Sequence, residues 1–130
     1  MIKHSKPVLI LSLLFLFTFL LGCSTKSDPA QSVLEYLNSL VNQDADRAVA
    51  VSCADWEKQA LLETDSFLSV EALLNNVTCK TVMEGDTEAE VTCNGTIDMT
   101  YNEEVRSIDL SLRTYSLIYQ SGEWLVCGYK

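Results

Sequence analysis

The sequence predicts the α+β class, with N-terminal helices packed on a curved, antiparallel four-stranded meander. Three observations carry this. Apolar side chains recur at helical spacing from Val33 to Leu61 and at a spacing of two from Val77 onward. Turn residues then punctuate the second half at Gly85-Asp86, Asn102-Glu103-Glu104 and Ser121-Gly122. Helices followed by hairpin-linked strands bury their apolar surfaces as one layer on another.

The first helix begins at Asp28-Pro29-Ala30-Gln31, with Asp28 as N-cap and Pro29 in the first turn, where no amide hydrogen is needed. Val33, Leu34, Leu37, Leu40 and Val41 form its apolar stripe, and Glu35, Asn38 and Ser39 fall outside it. Asp44 caps a short second helix through Ala48 and Val49, and Ser52 caps a third through Trp56, Ala60 and Leu61. Helical propensity fades after Leu62, and Thr64-Asp65-Ser66 reads as a turn or frayed end before Phe67-Leu68. The first strand runs from Val77 with Cys79, Thr81 and Met83 on one side, and the second carries Ala89, Val91, Cys93, Ile97 and Met99 on one face. Apolar parity persists across Asn94-Gly95, so Gly95 marks a bulge or a close approach and not a second hairpin turn. A third strand of about fifteen residues spans Val105 to Tyr119. Its parity switches between Leu112 and Tyr115, as expected where a long strand bends across a curved sheet. Glu123 to Tyr129 is the fourth strand.

Ahead of this domain, Val8 to Leu21 is an apolar run of 14 residues, broken by Ser12 and Thr18 and preceded by Lys3 and Lys6. It is shorter than the roughly 20 residues a spanning helix needs. It ends in Leu20-Leu21-Gly22-Cys23, which resembles the lipobox of bacterial lipoproteins: an apolar residue three before the cysteine, a small one just before it, then Cys. The resemblance implies a signal peptide over 1–22, a lipid on the Cys23 thiol, acylation of the new amino terminus and a tether over 23–28. It leaves a single domain over 29–130, lipid-anchored to the cell membrane outside the cytoplasm. Two acyl chains anchor stably where one does so only marginally. The competing readings are an ordinary secretory signal with an incidental Cys23 and an uncleaved anchor.

Removing residues 1–22 takes the nine basic residues to seven against eighteen acids, a net charge of −11. Such a body has no Lys/Arg cluster for phosphates, so nucleic acid is not an expected partner. The single histidine, His4, lies in the same segment. Histidine-based acid–base, nucleophilic and metal chemistry is thereby excluded from the remainder.

Four cysteines remain besides Cys23, and in an exported domain an even set implies disulfides with three possible connectivities. No Cys-x-x-Cys spacing occurs, which argues against a redox pair or zinc ribbon. Cys79 and Cys93 flank the turn at Glu84 to Thr87 almost symmetrically, so a hairpin sets them opposite each other. Cys53 and Cys127 then staple the helical half to the last strand.

The element order, with Leu40-Val41-Asn42-Gln43-Asp44 closing the first helix, Cys53-Ala54-Asp55-Trp56-Glu57 and the Gly122-Glu123-Trp124 hairpin, resembles the nuclear transport factor two-like superfamily. That likeness implies a cone whose mouth holds a ligand, and members include isomerases, dehydratases and non-enzymatic binding or dimerisation modules. Fold does not choose among these. Enzymatic branches use Asp-His or Tyr-Asp pairs, and the lack of histidine favours a binding module for a small apolar ligand or a protein partner. The resemblance calls for no cofactor and no metal, and it allows a homodimer through the sheet.

The alternative is an isomerase or dehydratase with Asp98 or Asp109 as base and Tyr101 or Tyr115 as polar support, since proton chemistry here requires a carboxylate with a raised pKa in an apolar pocket. The competing reading makes these residues, with Arg113, a solvated face on which Asp109 and Arg113 form a surface pair. Trp56, Arg113 and Trp124 are the candidate ligand contacts, against a core role for the two tryptophans.

Overall fold

The computed structural model describes residues 26–130, so the expected signal peptide and the expected lipidation site at Cys23 lie outside the described residues. Three helices come first: α1 (Pro29–Val41), α2 (Ala45–Ala50) and α3 (Glu57–Ser66). The Asp28 carboxylate accepts from the Ala30 amide and Asp44 accepts from the Arg47 amide, so both aspartates cap as expected. Ser52 does not cap α3. Its hydroxyl donates to the Ala48 carbonyl, and α3 begins at Trp56 without a side-chain cap. The backbone explains this: Cys53 N–H donates to Val126 O and Val126 N–H to Val51 O. Residues 51–53 are thus held along the sheet and cannot open a helix.

Five strands follow, one more than expected: β1 (Glu71–Glu84), β2 (Glu88–Tyr101), β3 (Glu104–Asp109), β4 (Thr114–Gln120) and β5 (Glu123–Tyr129). The order is β1-β2-β4-β5, all antiparallel, with β3 also on β2. β4 pairs with residues 88–92 of β2 and β3 with residues 96–101, so one long strand templates two short ones. The expected third strand is therefore broken. Its parity switch is a 3-10 turn at Leu110–Leu112, with Leu110 buried and Leu112 79 % exposed.

β1 starts six residues before Val77 because a register shift between Asn75 and Thr78 hides the alternation. Ala72 and Leu74, ahead of the shift, pack against the same core as Val77 and Cys79 after it. Asn76 sits at φ 51° and Gly95 at φ 96° opposite this bulge. A Cβ on Gly95 would lie 2.6 Å from the Asn76 carbonyl oxygen, so Gly95 marks a close approach that a side chain would block.

The sheet is open at β1 and β5 and is not strongly curled. This contradicts the expected cone and the nuclear transport factor two-like resemblance. Closure would require strand tilt and a continuous stagger, whereas the long third strand that was to provide the curvature is interrupted. What stands is an α+β domain with helices packed on an antiparallel sheet.

The core lies between the helices and one sheet face. Val33, Tyr36, Leu37 and Leu40 of α1 and Ala60 of α3 meet Val91, Ile97, Tyr115, Leu117, Trp124 and Val126. Each large side chain buried there stabilises by about 1.5–3 kcal/mol. Ser39, placed outside the stripe by periodicity, is buried, and its hydroxyl donates to the Tyr36 carbonyl. Two disulfides complete the frame: Cys79–Cys93 across β1 and β2, and Cys53–Cys127 between the segment after α2 and β5.

Candidate functional site

The densest polar cluster lies where α1, α3 and the β4 and β5 ends meet. Tyr36 occupies the buried face of α1, three residues after Val33, and its hydroxyl donates to Glu63 Oε2 at 2.9 Å. Tyr129, at the end of β5, donates its hydroxyl to Glu63 Oε1 at 2.8 Å. Trp56 Nε1 donates to the Tyr36 hydroxyl oxygen at 3.0 Å, extending the chain of bonds. The Arg113 guanidinium sits 4.2 Å from the centre of the Tyr129 ring, and the Tyr115 and Tyr129 rings are 5.4 Å apart.

Local backbone makes this assembly possible. β5 shifts register between its pairings with Tyr115 and Leu117, which returns Tyr129 to the same face as Val126. Gly128 within the shift has φ 131°, and a Cβ there would stand 3.2 Å from the Trp56 ring. Glycine lets the indole lie directly on the strand.

Burial, and then the neighbouring Glu63 charge, raises the Tyr36 hydroxyl far above its ordinary range. Burial, and then the hydrogen bond to Glu63 and its charge, push Tyr129 up to about 12. Tyr115 is also raised by burial, partly offset by Arg113 beside it. Tyr36 and Tyr129 therefore stay protonated and donate to Glu63, whereas the buried Tyr115 hydroxyl has no hydrogen-bond partner among the described residues. Glu63 accepts one tyrosine hydroxyl on each oxygen, which ties α3 to both α1 and β5. The arrangement suits a lock between layers better than a proton-transfer centre.

The expected site residues are distributed elsewhere or absorbed by this lock. Asp98 accepts from Ser107 at 2.6 Å, Thr96 at 2.8 Å and Asn75 at 2.8 Å. Those bonds, Ser107 foremost, hold its carboxyl below the usual range. Asp109 caps the 3-10 turn through the Ser111 hydroxyl and amide, which lower it as well. It does not pair with Arg113, which lies over Tyr129. A general base needs the opposite shift, and neither Asp98 nor Asp109 stands in the apolar pocket that the alternative expected. Tyr101, 57 % exposed, borders an open groove of about 330 Å³ with Val70, Met99, Glu104 and Arg106. Trp124, 1 % exposed, is core. Trp56, Arg113 and Tyr115 do come together, in the cluster.

Glu63, Tyr36 and Tyr129 were not singled out by sequence. The only local hint was Tyr36 three residues from Val33, on the edge of the stripe. Among the described residues no group of three or more His, Cys, Asp or Glu side chains could hold a metal.

At the opposite end of β5, Lys26 Nζ lies 4.5 Å from the Tyr119 ring centre and 4.7 Å from that of Trp124. It also donates to the Asp86 carbonyl at 3.4 Å. No helix among the described residues is long and apolar enough to cross a membrane.

No family model matches the chain, and no curated protein matches it. The lipoprotein resemblance therefore has no homologue behind it. Among solved structures, the chain is similar to the helical cell shape determining protein Pgp2 from Campylobacter jejuni, with TM-score 0.51 and 9 % identity over 76 % of this chain. The match spans 38 % of that protein, well under half its length. A SEC-C motif containing protein from Rhodopseudomonas palustris matches 72 % of this chain and 70 % of its own, with TM-score 0.48 and 9 % identity. At such identity the first likeness is one of fold and does not extend to activity.

Proposed function

We propose that the chain is a membrane-tethered, extracytoplasmic protein, anchored through a lipid on Cys23, whose α+β domain is a binding module and not a catalyst. The observation that carries this reading is Leu20-Leu21-Gly22-Cys23 at the end of a 14-residue apolar run. Two disulfides within the domain fit an oxidising compartment. Asp98 and Asp109, held below the usual carboxylate range by their hydrogen bonds, are weak general bases, which counts against the proton-transfer alternative.

The test is incorporation of a radiolabelled fatty acid in the native host. The wild-type chain takes up label and sediments with membranes, and Cys23→Ala abolishes both. An unlabelled wild-type chain overturns the anchor.

A further inference from the structure

The domain's attachment point is fixed by Lys26, and this, taken with the proposed lipid on Cys23, sets how the protein stands on its membrane. Lys26 is clamped over Tyr119 and Trp124 and bonded to the Asp86 carbonyl. Two residues later, Asp28 both caps α1 and accepts from the Thr81 hydroxyl at 3.1 Å. The chain thus enters the fold held against the β1–β2 turn and the β4–β5 hairpin. Cys23 is three residues before Lys26, and three residues span at most roughly 10 Å when fully extended.

We infer that the end of the sheet carrying the β1–β2 and β4–β5 turns faces the bilayer, and that the β2–β3 tip is presented outward. Glu88 and Tyr101 begin and end β2, and strand rise separates them by roughly 40 Å. The groove bordered by Val70, Met99, Tyr101, Glu104 and Arg106 therefore opens at the far end from the anchor. The membrane-facing end exposes Glu84, Asp86, Glu88 and Glu123. Anionic headgroups repel this acidic rim, so the lipid surface it fits is zwitterionic.

This inference rests on the proposed Cys23 anchor, and one experiment separates the two. The lipidated mature protein in phosphatidylcholine vesicles is isolated by flotation, and its carboxylates are labelled with a water-soluble carbodiimide and amine. Labelling is compared, residue by residue, with the same protein released into detergent. The expected result is a severalfold drop on vesicles at Glu84, Asp86, Glu88 and Glu123, with Glu103 and Glu104 at the outer tip unchanged. Lys26→Ala should float equally well but lose most of that protection. Failure to float overturns the anchor and this inference with it. Flotation with uniform labelling or with protection at Glu103 and Glu104 overturns the orientation alone, and the full pattern retained in Lys26→Ala overturns Lys26 as the contact that sets it.

Discussion

The Tyr129 hydroxyl donates to the Glu63 carboxylate at 2.8 Å across 66 residues of chain. With Tyr36 on the other carboxylate oxygen, the last strand, the first helix and the third helix converge on a single side chain. Removing Glu63 leaves the buried Tyr36 hydroxyl and the half-buried Tyr129 hydroxyl without their acceptor. Glu63→Ala should destabilise by about 2–6 kcal/mol at neutral pH, at about 1–3 kcal/mol for each orphaned buried polar group. Glu63→Gln, which keeps an acceptor oxygen, should cost less than half of that. Urea denaturation followed by tryptophan fluorescence checks both, and equal effects of the two variants would contradict the lock.

The same cluster predicts an alkaline limit. A phenol whose pKa is raised on folding holds its proton more tightly in the folded state. Its stabilisation is complete below the unfolded value near 10 and is lost as pH rises through the folded value. For Tyr129 this window runs from about 10 to about 12, and Tyr36 and Tyr115 shift in the same direction. Tyrosinate absorbance from these three should rise together with loss of tertiary circular dichroism above pH 10. Their ionisation well before unfolding would refute the arrangement.

At the acid end the signs reverse. Hydrogen bonds lower Asp98 and Asp109, so their contribution is present above the ordinary carboxylate pKa and disappears as pH falls through their folded values. Asp98→Asn should therefore flatten the acid limb of the stability–pH curve, measured as urea midpoint between pH 5 and pH 2, and leave the alkaline limb in place.

The two disulfides close sequence separations of 14 and 74 residues. Loop entropy gives upper values of about 3 and about 4.5 kcal/mol. The Cys53→Ser/Cys127→Ser pair should accordingly lower the urea midpoint more than Cys79→Ser/Cys93→Ser. The reverse order would show that strand pairing around Cys79 and Cys93 depends on the bridge beyond its effect on the unfolded chain.

Gly95 and Gly128 each combine positive φ with a neighbour close to the missing Cβ. Alanine at either position costs about 1–3 kcal/mol from backbone conformation alone. Gly95→Ala adds an overlap with rigid backbone at Asn76 and should be worse than Gly128→Ala, whose neighbour is the Trp56 ring. Thermal unfolding midpoints rank the pair.

The parts of this fold that were legible in sequence depend on chemistry close by in the chain. Asp28 and Asp44 cap because an aspartate reaches amides two or three residues on. Cys79 and Cys93 pair because a symmetric hairpin must juxtapose them. The onset of β1 was hidden because one extra residue at Asn76 reverses its alternation. The break between β3 and β4 looked like a bend because either one switches parity. The cone failed for that reason: one strand read as continuous provided curvature that two separate strands do not. Within the cluster, Trp56, Arg113 and Tyr115 stood out as aromatic or charged residues at suggestive positions. Glu63 lies on a helix with little apolar periodicity, and its partners come from opposite ends of the chain, so no local pattern joins them.

The outer edge of β1 has no neighbouring strand among the described residues. Its two register shifts divide it into runs of five, four and two residues, Glu71–Asn75, Thr78–Thr81 and Met83–Glu84, with Lys80 in the middle run. Interrupted and charged margins resist zipping against another chain. Copies brought together at high local concentration would meet margin to margin more often than in dilute solution, and these kinks oppose an extended ladder between them.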